Sequence, residues 1–156
     1  MKRLSVAFAA LALAITAQAV QNGQSAQPAQ NDRFVGTWKL NIAKSKFSPG
    51  PPPTSATVTI APDKVSVEEV HADGKTENWS YTPSPGSPAT ITGMENASVI
   101  EKRVNDHTME DTWKMGEGTM QGKAVLSKDG KRMTYTLTGN TPEGKPVHNV
   151  DVYEKQ

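Results

Sequence analysis

From Phe34 to Ile42 the chain alternates, with Phe34, Gly36, Trp38, Leu40 and Ile42 on one side of an extended backbone and Val35, Thr37, Lys39 and Asn41 on the other. A period of two predicts a half-buried strand. Trp38 then points into a core, and Gly36, on the same face, leaves room for close packing. The same rhythm recurs nine more times, at Ser55 to Ala61, Lys64 to His71, Thr76 to Thr82, Ala89 to Thr92, Ala97 to Val104, His107 to Met115, Thr119 to Ser127, Lys131 to Thr138 and Pro146 to Glu154. β-Branched residues fill the runs, and turn residues such as those of Ala72-Asp73-Gly74-Lys75 and Lys128-Asp129-Gly130-Lys131 separate them. No stretch of this region sustains a 3.6-residue period, so little helix is expected.

Connections this short join antiparallel neighbours, and a meander of such strands must protect its two edges. Closure into a single antiparallel up-and-down β-barrel of about eight to ten strands does so, with the last strand, Val147 to Tyr153, beside the first. A two-sheet β-sandwich is the alternative. Between the first two strands, Pro49, Pro51, Pro52 and Pro53 rule out a helix and predict an extended loop.

The spacing Gly36-x-Trp38 resembles the G-x-W signature of the lipocalins. Phe34-Val-Gly-Thr-Trp-Lys-Leu40 is similar to the opening of the fatty-acid-binding proteins, their relatives in the calycin group, and Tyr153-Glu154-Lys155 to their final residues. The resemblance implies a lipocalin-like barrel holding a small, mostly apolar molecule. Two departures stand out. Fatty-acid-binding proteins carry a two-helix lid after the first strand, for which Ala43 to Pro53 is too short and too proline-rich, so the mouth is open or covered only by Phe47. Their last strand also presents an Arg two residues before the Tyr, the pair holding a carboxylate. Here those positions are Asp151 and Tyr153, and Asp151 repels a carboxylate where Tyr153 can still donate a hydrogen bond.

Lys2 and Arg3, the uncharged run from Leu4 to Ile15 and Ala17-Gln18-Ala19 have the order of a cleavable secretory signal covering residues 1–19. Residues 20–31, rich in Gln, Ala and Asn, read as a flexible spacer, and residues 32–156 as one lipocalin-like barrel domain. The apolar run is shorter than the roughly 20 residues of a membrane span, so no integral span is expected and the protein is placed as secreted or periplasmic after cleavage near Ala19. Loss of Lys2 and Arg3 takes Lys+Arg from 17 to 15 against 16 Asp+Glu, a formal charge of −1. That balance argues against nucleic acid as a partner. Without cysteines there are no disulfides, and a hydrophobic core must supply the stability, in what is read as a monomer.

Three rows combine large apolar and polar residues: His107, Met109, Asp111, Trp113 and Met115; Glu77, Trp79 and Tyr81; Ala97, Val99, Glu101 and Arg103. If they face a cavity it is amphipathic, as small-molecule sites are. The candidate ligand-binding residues are Trp79, Tyr81, Met109 and Trp113 as wall, with Arg103 or Tyr153 as polar anchor. Alternatively the barrel is filled, with Met133, Tyr135 and Leu137 among its core and His107, Asp111, Glu101 and Arg103 at the wet rims, in an envelope or surface module that engages another macromolecule. An enzyme using His107 with Asp111 as acid and base is a third reading, opposed by the ~13 Å that four residues span along a strand. The three histidines, His71, His107 and His148, lack metal-ligand spacing, no nucleophile or dinucleotide motif is present, and no cofactor or metal is expected.

Overall fold

A computed structural model describes residues 32–141 and 143–156. The signal and spacer readings for residues 1–31 lie outside the described residues. The ten strands are β1 (Gly36–Leu40), β2 (Ser55–Ile60), β3 (Val65–Val70), β4 (Thr76–Tyr81), β5 (Ala89–Thr90), β6 (Ala97–Asn105), β7 (Thr108–Met115), β8 (Gly118–Leu126), β9 (Arg132–Asn140) and β10 (Pro146–Lys155). One 3-10 turn, Ile42–Lys44, follows β1, its amide end capped by the Asn41 side chain.

All pairings are antiparallel, in the order β4-β3-β2-β1-β10-β9-β8-β7-β6-β5. The first and last strands are thus neighbours, with Trp38 opposite Lys155 and Leu40 opposite Tyr153. Where β1 ends, Lys46 takes over beside β10 through two 2.8 Å backbone hydrogen bonds with Val150.

The outermost strands, β4 and β5, close the ring into a nearly complete barrel rather than a sandwich. The seam is narrow: Ser80 and Thr92 exchange backbone hydrogen bonds of 2.9 and 2.8 Å. The expected strand Ala89 to Thr92 therefore stops at Thr90, because Thr92 leaves β6 for β4. Gly93 makes this crossing possible, since at φ +95° any Cβ would strike the carbonyl oxygen of Asn78.

β8 shows most plainly why the chain folds this way. Gly118, Met120, Gly122, Ala124 and Leu126 alternate inward against outward Thr119, Gln121, Lys123 and Val125. Two apolar clusters fill parts of the barrel. One gathers Phe34, Leu40, Ala56, Leu126, Met133 and Tyr153 around Trp38, with Phe47 half-buried against it. Trp38 is fully enclosed, and its Nε1–H donates to the Phe34 carbonyl at 2.7 Å. The space left by Gly36 is taken by the Lys155 stem, which lays its ammonium 5.0 Å from the centre of the Trp38 ring. The second cluster joins Val65, Tyr81, Ala89, Ile91, Ala97 and Val99.

Candidate functional site

Inside the barrel lies a cavity of about 240 Å³. Because side chains alternate, the strands around it send every second residue to its wall: Glu69 from β3, Trp79 and Tyr81 from β4, Glu101 from β6, Met109, Asp111, Trp113 and Met115 from β7, Met120 from β8, Met133 and Tyr135 from β9, and Asp151 and Tyr153 from β10. Met94, from the loop after β5, completes a set of five methionines.

Three aromatic rings form one side of the cavity. Trp79 and Tyr81 stack at 6.3 Å, and Trp113 meets both edge-on, at 5.3 and 6.2 Å. Tyr81 Oη donates to Glu101 Oε1 at 2.6 Å. On the neighbouring strand, beside Glu101, Asp111 Oδ1 accepts from Trp113 Nε1 at 2.7 Å and from Tyr135 Oη at 2.9 Å. Gly122 permits that arrangement, because a Cβ there would coincide with both Asp111 Oδ1 and Tyr135 Oη.

Burial governs the electrostatics. It raises the Asp111 carboxyl to about 6, partly offset by the hydrogen bonds from Tyr135 and Trp113, and raises Glu101 against the hydrogen bond from Tyr81. Asp151 rises to about 7, first through burial and then through the charge of Glu69, itself raised by burial. Asp151 Oδ1 is fully enclosed and accepts no hydrogen bond from the described residues. The phenols of Tyr81, Tyr135 and Tyr153 are pushed up by burial and remain donors at neutral pH.

Of the candidate residues, Trp79, Tyr81, Met109, Trp113 and Tyr153 line the cavity. Arg103 does not: its guanidinium lies 4.5 Å from the Phe34 ring centre and pairs with Asp32, beyond the cavity, because a long side chain can carry its charge out to water instead of burying it. Glu101 and Asp111, placed by the filled-barrel reading at wet rims, are 8% and 7% exposed. His107 shares a hydrogen bond with the Arg33 guanidinium and has none with Asp111, so the acid/base pair does not form. The sequence reading passed over Glu69, Met94, Met120 and Gly122 as wall or contact residues, and placed Met133 and Tyr135 only in a filled core. The signal was present in the period-two rows Val65-Val67-Glu69, Met120-Gly122-Ala124 and Met133-Tyr135-Leu137.

No protein-family model matches the chain, and no curated protein sequence matches it. Among solved structures it is similar to a mutant of the fluorescent protein UnaG, with a TM-score of 0.54 and 15% identity over 80% of this chain and 96% of that one. A Schistosoma mansoni fatty acid binding protein in complex with arachidonic acid is similar at a TM-score of 0.50 and 14% identity, over 80% of this chain and 96% of that one. Likeness at this identity establishes the fold: an all-β barrel of the calycin kind.

Proposed function

We propose that the protein is a binding protein that holds a small apolar or amphipathic molecule inside the barrel without transforming it, acting as a monomer after export to the periplasm or the exterior with residues 1–19 removed. The observation that carries this reading is a cavity inside the barrel walled by methionines and a cluster of three aromatic rings, surfaces that adapt to an apolar guest and contact it broadly. A neighbour of the same fold in complex with a fatty acid supports it. At about 240 Å³ the cavity is smaller than the roughly 300–1,000 Å³ of drug-sized sites, so the guest is small or the methionines re-pack around it.

Trp79 and Trp113 report on occupancy. A panel of fatty acids, retinoids, sterols and small hydrophobic dyes is expected to contain members that quench or shift tryptophan fluorescence. A guest at a hundredfold its dissociation constant adds about 2.7 kcal/mol of stability, visible as a raised thermal midpoint. A panel without either effect, joined by silence from small aromatic amines and alcohols, would exclude the binding reading and favour interaction with another macromolecule.

A further inference from the structure

Four carboxyl side chains line the cavity, Glu69, Glu101, Asp111 and Asp151, and among the described residues no Lys, Arg or His lines it with them. Arg103 turns toward Phe34 and Asp32 and Lys155 lies over Trp38, while the partly exposed His71, 3.4 Å from Glu69 and 3.2 Å from Glu77, pairs with Glu69 alone of the four. Building on the binding function proposed above, we infer that the natural guest is a small cation with an apolar body, an aromatic or aliphatic amine, and not a carboxylic acid.

Two independent features of the wall fit such a guest. Asp151 Oδ1 is fully enclosed yet accepts no hydrogen bond, and Glu101, more than nine-tenths buried, receives only that of Tyr81 among the described residues. Both are acceptors in need of a donor, which an ammonium group supplies and a carboxylate does not. The Trp79, Tyr81 and Trp113 rings stand beside them and offer the π surfaces that attract organic cations. A carboxylate guest would add a fifth acid to a site in which, among the described residues, only Glu69 has a basic neighbour, His71. The volume, room for about eight waters at roughly 30 Å³ each, matches one aromatic ring with a short chain.

The charge of the guest is tested by titration calorimetry at pH 8 with phenethylamine, phenethyl alcohol and hydrocinnamic acid, which share ring and chain and differ in the head group. The amine is expected to bind about tenfold or more tighter than the alcohol, with the acid weakest. Lowering the pH to 5 leaves the amine charged but protonates Asp111 and Asp151, which burial raises to about 6 and about 7. Amine affinity should fall by about tenfold while that of the alcohol holds. Asp151→Asn and Glu101→Gln, each close to isosteric, are expected to cost the amine more affinity than the alcohol at pH 8 and so to shrink the tenfold preference.

Equal or weaker binding of the amine would overturn the inference and leave the binding function intact. So would failure of all three probes while a fatty acid or dye from the panel binds. Silence from the probes and the panel together would remove both readings.

Discussion

Asp151 occupies the position from which a carboxylate-binding barrel would present an arginine, and it is held there at a cost. Its ordinary value is 3.8 and its folded value about 7, so between the two the folded state keeps a proton that the unfolded state has lost. Folding is favoured on the acid side of that window, and the advantage is lost as pH rises through about 7; Asp111 adds the same trend from 3.8 to about 6. Asp73, Asp129 and Glu154 oppose it at lower pH, since hydrogen bonds involving Lys75, Ser127 and Lys44 respectively hold them below their ordinary values. The empty protein should therefore melt highest in mildly acidic buffer and lower at pH 8. Asp151→Asn should flatten the decline and raise the midpoint at pH 8 by several degrees, on the order of 1–3 kcal/mol, as scanning calorimetry across pH would read. Gly122→Ala should act in the opposite sense. Its methyl group displaces Asp111 and Tyr135 together and leaves buried polar groups without partners, at a cost of about 1–3 kcal/mol or more.

At the scale of the element, β1 is short but carries the most enclosed aromatic residue. Trp38→Ala empties the centre of the Phe34 cluster, breaks the hydrogen bond to the Phe34 carbonyl and uncovers the Lys155 stem. The loss should reach about 3–5 kcal/mol, exceeding that of Trp79→Ala or Trp113→Ala, whose rings face a cavity and leave less to re-pack; urea unfolding of the three variants decides it. β1 and the strands after it were legible because each buries one face and shows the other to water, as Met120-Gly122-Ala124 and Thr119-Gln121-Lys123 do along β8. Thr92 was misplaced because its partner lies across the seam, on β4, at a distance that local alternation does not encode. The same limit applies to Arg103. Its row reads inward with Glu101, yet length and charge take its guanidinium outside. The gathering of four acids from four strands was invisible for a related reason: Glu101 and Asp111 face each other across the β6–β7 hairpin, but Glu69 and Asp151 join them only once the barrel closes.

The whole molecule is a ring of ten strands with a strong junction and a weak one. The strong junction lies between β1 and β10, where the chain's first and last strands pair and the Gln156 amide donates to the Thr37 carbonyl at 2.9 Å. The weak one is the Ser80–Thr92 bridge, spanned by the loop from Pro83 to Pro88. Read around the ring from β5 through β10 to β1 and on to β4, every strand is followed by its neighbour. The molecule is in this sense a continuous meander whose chain happens to start in the middle. A circular permutant of the described domain, with residue 156 joined to residue 32 by a short Gly/Ser linker and new ends opened between Pro83 and Pro88, should keep the β-type circular dichroism spectrum and the tryptophan emission of the parent. It should also refold faster in stopped-flow experiments, because the β1–β10 pairing, which now spans nearly the whole chain, becomes a local hairpin and no long loop has to close before it forms.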